Sequence, residues 1–184
     1  MDKAIPRSPI AGVGHIAVAE VGVTERWPLA MVEITAIPHV PLTRAAIEAR
    51  LGLTLPPANT AHLGARTALR CGPERWLVVG ERAAETLLPT QLERAAAGTA
   101  AITDVSDART VLRVAGSAAS ALLVQGCAID LEAMEPGRVA ATSMARLHSL
   151  LHMVDESPSF DVYASRSYAA FLWDWFAQHA AEFD

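Results

Sequence analysis

Lysine is almost absent. Fourteen of the fifteen basic side chains are arginine, and Lys3 is the only lysine. A Schiff-base enzyme needs a buried lysine amine. A phosphate-binding loop needs its lysine in the order Gly-x-x-x-x-Gly-Lys. Lys3 supplies neither, because residues 1–14, with Pro6, Pro9 and Ser8, read as a flexible lead-in. Cysteine is scarce as well. Cys71 and Cys127 are the only two, and neither stands in a Cys-x-x-Cys pair. Structural zinc, thioredoxin-type redox chemistry and a disulfide scaffold therefore lack support, and reduced thiols in the cytoplasm are expected. No basic tract occurs: the arginines are scattered singly and the net charge is −5. That argues against nucleic acid as the main partner. The most apolar stretch, 111–129, is broken by Arg113, Gly116 and Gln125, so no membrane span is expected. Nor does a signal-type apolar run follow Lys3 and Arg7.

What remains is ample for folding. The chain has 184 residues, of which 52% are hydrophobic and 19% charged. A chain of this length buries roughly 70% of the surface its unfolded form exposes. With no linker in sight, residues 15–184 read as one compact unit, with room for two similar halves.

Residues 16–23 read as one strand, and the alternation of 31–37 predicts another. Thr43 is placed to cap a helix reaching Leu51, with Gly52 at its end. Residues 67–70 and 76–79 flank the turn Cys71-Gly72-Pro73-Glu74. A helix is expected over 81–97, interrupted at Pro89, restarted by a capping box of Thr90 and Glu93, and stopped at Gly98. Residues 101–105 and 109–115 are expected to form a second strand pair. Ser117 is placed to cap a helix ending at Gly126. Residues 138–154 read as β, pairing with 160–164. The last helix, capped by Ser167, carries Tyr168, Phe171, Leu172, Trp175, Phe176 and His179 on one face, with Trp173 and Asp174 pointing elsewhere. Strands paired by short hairpins with helices between them give an α+β class.

Four constellations could carry chemistry. Gly12-Val13-Gly14-His15-Ile16-Ala17 fits Gly-x-Gly-x-x-Ala, but proline-containing coil precedes it and a β-like run follows, so a plain loop is expected rather than a pyrophosphate turn. His148 and His152 stand four apart, with Asp155 three further. On a helix the two histidines would face one metal; on a strand they lie about 13 Å apart on one face, too far for a single ion. Cys127 could be a nucleophile, yet no histidine is near it in sequence, and a small buried residue after a helix end is the plainer reading. Asp104, Ser106, Asp107 and Arg109 crowd one turn. They could bind a polar ligand, or the Asp and Ser side chains could simply close the turn.

Three blocks carry a resemblance. The first is Leu53-Thr54-Leu55-Pro56-Pro57-Ala58-Asn59, and the second runs from Cys71-Gly72-Pro73-Glu74-Arg75-Trp76 to Val79. The third begins at Thr103-Asp104-Val105-Ser106-Asp107-Ala108-Arg109-Thr110. It continues through Val114-Ala115-Gly116, the run from Leu122 through Gln125-Gly126-Cys127 to Asp130-Leu131, Pro136-Gly137 and Arg166-Ser167-Tyr168. In this order, over about residues 30–182, they resemble the gamma subunits of heterotetrameric sarcosine oxidases. The third block is also similar to the amino-terminal domain of glycine-cleavage aminomethyltransferases.

The resemblance implies an aminomethyltransferase-like folate-binding-domain fold, built of two interleaved halves, each an antiparallel sheet with helices. It implies a small non-catalytic subunit of a complex that oxidatively demethylates sarcosine to glycine. In that complex the one-carbon unit passes to tetrahydrofolate and hydrogen peroxide forms. FAD, FMN, NAD and tetrahydrofolate are implied in the larger partner subunits, with none in this chain. No catalytic, cofactor-binding or metal-ligating residue is carried over. The alternative is a free-standing folate- or one-carbon-binding protein using the turn from Asp104 to Arg109. A repair-type folate protein with Cys127 as a reactive thiol fits less well, since Gln125 stands where those proteins have lysine.

Overall fold

Hydrophobic alternation in the strands and 3.6-residue stripes in the helices require a sheet face under each helix layer. The computed structural model, which describes residues 7–82 and 88–184, meets that requirement twice. The chain divides into two units. The first takes in the described residues up to Pro28, then Asp107–Pro136 and Ala141–Asp184; the second takes in Leu29–Ser106 and Gly137–Ala140. The halves are interleaved along the chain, each with its own antiparallel sheet and helices, and the class is α+β.

The first unit's sheet has the order β1-β2-β8-β11-β10-β9. These strands are β1 (Ile16–Ala17), β2 (Gly22–Glu25), β8 (Arg109–Ala115), β9 (Val139–Met144), β10 (Leu147–Asp155) and β11 (Ser159–Ser165). Helices α3 (Ala119–Val124) and α4 (Ala169–Ala180) cover one face. Val23, Leu112, Val114, Leu151, Phe160 and Val162 from the strands share a core with Leu122, Leu172, Trp173 and Phe176 from these helices. Each large apolar side chain buried this way stabilises by about 1.5–3 kcal/mol. Ile10 belongs to the same core, so the described end of the supposedly loose lead-in is pinned there.

The second unit's sheet has the order β4-β5-β6-β3-β7. Its strands are β3 (Leu29–Ala36), β4 (Ala61–His62), β5 (Thr67–Gly72), β6 (Arg75–Glu81) and β7 (Ala100–Asp104). Helices α1 (Arg44–Leu51) and α2 (Leu88–Ala96) bring Ile47, Leu51, Leu88 and Leu92 onto Val32, Ile34, Trp76 and Val78.

Several expectations are corrected. The run 16–23 is a two-strand hairpin, Ile16 opposite Val23, with the Val18 N–H reaching the Val21 carbonyl. Strands β7 and β8 are real but do not pair: β7 lies beside β3, whereas β8 lies between β2 and β11. Residues 138–154 are also a hairpin. Its turn uses Ala145 and Arg146 at φ +48° and +67°, and neither residue is a usual turn former for that region.

Glu81 ends β6 and does not begin a helix. Within the described part of α2, Leu88–Ala96, Pro89 and Thr90 are both helical, so Thr90 does not cap a restart there. The expected helix over 83–87 lies outside the described residues. None of the other three predicted hydroxyl caps forms. The Thr43 hydroxyl instead reaches the Ala96 carbonyl at 3.0 Å and the Thr99 hydroxyl at 2.9 Å. Ser117 faces the Glu20 carbonyl at 3.5 Å, and Ser167 pairs with the Ser165 hydroxyl.

Candidate functional site

The Asp104–Arg109 turn closes on itself. The Ser106 hydroxyl donates to Asp104 Oδ1 at 2.6 Å, and the Ser106 N–H reaches the same oxygen at 3.0 Å. Ser106 Oγ then accepts the Met31 N–H at 2.9 Å, which fixes the chain where it leaves β7. Ser106 thus closes the turn through Asp104 Oδ1 and the Met31 backbone, as turn-forming Asp and Ser side chains do. Asp107 and Arg109 have contacts of their own.

A row of polar groups crosses the first sheet on the face away from α3 and α4. Direct strand partners place His152 (β10) opposite Asp161 (β11), and Asp161 opposite Arg113 (β8). Arg26, just past β2, joins them. Arg113 grips Asp161 with two bonds, Nε to Oδ1 at 2.8 Å and Nη2 to Oδ2 at 2.9 Å, while Arg26 Nη1 reaches Oδ2 at 2.7 Å. Asp161 is 1% exposed; the arginines keep about a third of their side chains in water, at 34% for Arg26 and 31% for Arg113. The hydrogen bonds that Arg113 donates to Asp161 push its own pKa further up.

His152 is buried beside this row with neither ring nitrogen bonded. Burial is the main cause that pushes its pKa down to about 4; Asp161 opposes, while Arg113 and Arg26 add to the lowering. It is therefore neutral at pH 7. The Tyr163 hydroxyl lies near Asp161 without a well-formed hydrogen bond to it, and burial pushes its pKa up. The row holds one compensated carboxylate and two groups that stay neutral. Neither a nucleophile nor a general base poised near neutral pH is among them. The sequence reading missed Asp161, Arg26, Arg113 and Tyr163 as a group. The available signal was a single charge centred in each of two apolar strands, Val-Leu-Arg-Val and Ser-Phe-Asp-Val.

The other candidates fall apart in space or chemistry. His148 and His152 are both on β10, the first exposed and the second buried. Among the described residues no group of three or more His, Cys, Asp or Glu side chains is placed to hold a metal. Cys127 is buried, and burial pushes its thiol pKa up, away from the reactive thiolate. Gly12 and Gly14, at φ +92° and +75°, lie in a loop that enters strand β1, not a helix, so they do not fit a pyrophosphate.

The residues of the three sequence blocks are mainly joints. Trp76, fully buried, donates from Nε1 to the Pro56 carbonyl at 3.0 Å and ties the second block to the first. Arg44 and Arg70 lie over its ring at 5.2 and 4.3 Å. In the third block, a Cβ on Gly116 (φ +123°) would sit 2.3 Å from the Glu20 carbonyl oxygen.

Helix α4 departs from its predicted face. Ala169, Leu172, Trp173, Phe176 and Ala180 are the buried residues, so Trp173 turns inward. Tyr168 and Phe171 are instead 50% and 52% exposed, and Val124 at the end of α3 is 55% exposed. Half-buried Trp175 stacks on His179 at 4.0 Å. Its ring edge lies so close to Gly126 that a Cβ there would come within 2.8 Å of it. Gln125 bonds Glu182 at 3.1 Å, which joins the ends of α3 and α4 into one surface. No helix among the described residues is long and apolar enough to cross a membrane.

Comparison with known proteins gives the following. The family model of the sarcosine oxidase gamma subunit matches residues 38–182. No curated protein sequence matches the chain. A chain of the heterotetrameric sarcosine oxidase from Corynebacterium sp. U-96, solved in complex with pyrrole 2-carboxylate, superposes with a TM-score of 0.85 at 25% identity. The match covers 97% of this chain and 96% of that one. The glycine cleavage system aminomethyltransferase T from Bartonella henselae shares the fold, with a TM-score of 0.62 at 14% identity, over 86% of this chain and 45% of that one. The regulatory subunit of aspartate kinase from Thermus thermophilus is more distant, with a TM-score of 0.51 at 12% identity, over 88% of this chain and 99% of that one.

Proposed function

This chain belongs to the sarcosine oxidase gamma subunit family, and from that premise we propose that it is the small, non-catalytic subunit of a cytoplasmic heterotetrameric oxidase. The complex demethylates sarcosine oxidatively to glycine, passes the one-carbon unit to tetrahydrofolate and forms hydrogen peroxide. FAD, FMN, NAD and tetrahydrofolate belong to the larger subunits in this reading. The observation that carries it is the family match over 38–182, joined to near-complete mutual coverage with a chain of a solved heterotetrameric sarcosine oxidase.

The chain's own chemistry agrees with a non-catalytic part. Asp161 is ion-paired with two arginines, His152 is neutral at pH 7 and buried, and burial pushes the Cys127 thiol pKa up, away from the thiolate. The Gly12–Gly14 loop does not fit a dinucleotide, and Ser106 is committed to Asp104 Oδ1 and the Met31 backbone. The test is co-expression with the large subunits of the oxidase. The purified complex should contain this chain and form peroxide from sarcosine. The isolated chain should show no oxidase activity, and its four tryptophans should not respond to tetrahydrofolate. A tryptophan response saturating with tetrahydrofolate in the isolated chain would favour the folate-binding alternative instead.

A further inference from the structure

The chain's net charge is concentrated in one place. Residues 114–136 and 167–184 carry six acidic side chains, Asp130, Glu132, Glu135, Asp174, Glu182 and Asp184, and no lysine or arginine. The rest of the chain holds fourteen acidic against fifteen basic side chains and is nearly balanced. These two segments form the α3–α4 layer of the first unit, with the loop that follows α3. All six acids are exposed. Arg146 and Arg166 mark the border: Arg146 sits in the β9–β10 turn whose Ala145 N–H reaches the Gly126 carbonyl, and Arg166 is tied to the Arg7 carbonyl.

The same layer carries the exposed aromatics. Exposed Tyr168, just before α4, and exposed Phe171 and half-buried Trp175 within it recur at helical spacing, and Val124 stands at the end of α3. Two half-exposed aromatic rings in a chain that is only 5% aromatic are not core residues. Their type is the one that anchors protein interfaces. The exposed rings offer an apolar contact, and the exposed acidic side chains of the same two segments set the charge that must face it.

We propose that the α3–α4 face, centred on Tyr168 and Phe171, docks into an apolar groove with an arginine- or lysine-bearing rim on a larger subunit of the oxidase. The proposal rests on the subunit reading and adds where the contact is made and what chemistry receives it. Charge selects this occupant. A second copy of the chain would set six acidic groups against six, a costly like-charge juxtaposition. An anionic lipid surface attracts basic segments, and this face has none.

The test uses the co-expressed complex. Phe171→Glu combined with Tyr168→Glu is compared with Asp174→Arg combined with Glu182→Arg, and with Leu63→Glu, an exposed apolar residue of the second unit. Circular dichroism and thermal melting verify that each variant folds. The amount of this chain retained with the large subunits is read by gel filtration at 0.05 and 0.5 M salt. The aromatic double variant should lose at least tenfold in retention. The charge-reversed variant should lose several-fold at low salt, and Leu63→Glu should behave as wild type. Wild-type retention should fall as salt rises. Full retention of both the aromatic and charge-reversed variants, or loss only with Leu63→Glu, overturns this placement while leaving the subunit reading intact. Dimerisation of the isolated wild-type chain that Phe171→Glu abolishes overturns the choice of partner. Failure of the wild-type chain to assemble at all overturns the subunit reading itself.

Discussion

Asp161 accepts three hydrogen bonds from two arginines while 1% exposed, so it is the residue whose loss leaves most charge without an answer. Breaking one side of a buried ion pair costs about 3–5 kcal/mol. Arg26 and Arg113 each keep access to water, which places Asp161→Ala at the low end, on the order of 3 kcal/mol by that principle. The shift of the urea unfolding midpoint measures it; a loss below about 1 kcal/mol would mean that the row is ornamental. His152 makes a pH prediction. Its pKa in the fold is about 4, below the ordinary 6.5. Between those values the unfolded chain binds the proton and the folded chain resists it, so stability falls as pH drops from 6.5 towards 4. Urea titrations at pH 7 and pH 4.5 should show a smaller pH loss in His152→Phe than in wild type. An identical loss would remove His152 from the explanation. Sequence spacing drew attention to His152 and, by placing it with His148 on one strand, set a shared metal aside; both do lie on β10. It could not pair Arg113 with Asp161, because forty-eight residues separate partners that become neighbours only when β8 and β11 align.

The elements themselves were legible where one local rule governed them. The β5–β6 hairpin followed from Gly-Pro in its turn, and the end of α1 followed from Gly52, which takes φ +69°. Reading failed where tertiary contacts decided. The β9–β10 turn has neither glycine nor proline, and the Thr43 hydroxyl was claimed by the end of α2 before it could cap α1. The face of α4 was set one step away from the widest aromatic stripe, because Trp173 packs inward and Phe171 does not.

Two joints between elements give predictions. Gly116→Ala combines a positive φ with a 2.3 Å approach to the Glu20 carbonyl oxygen, so the β8–α3 connection must shift. A destabilisation of about 2 kcal/mol or more is expected from calorimetry, on the scale of such backbone strain. Wild-type melting would show that the loop yields freely. Trp76→Phe removes the indole donor and leaves the Pro56 carbonyl without it, which should cost about 1–3 kcal/mol in a urea series. An unchanged midpoint would mean that the Leu-Pro-Pro loop is held by packing alone.

At the scale of the molecule, the near-absence of lysine excludes two chemistries, and the remaining charge is uneven: Asp161 is buried between two arginines, while 114–136 and 167–184 carry acidic side chains and no lysine or arginine. The interleaving of the two units explains why neither half could be read as a separate domain: the chain leaves the first unit at Pro28 and returns only at Asp107. Family membership places the chain among the gamma subunits of sarcosine oxidases. The most direct measurement is native mass spectrometry of the oxidase purified through a tag on a large subunit. The account predicts a four-subunit assembly holding one copy of this 184-residue chain, with the flavins retained when this chain is selectively stripped away. An oxidase of full mass that lacks this chain, or flavin that leaves bound to it, would contradict the account.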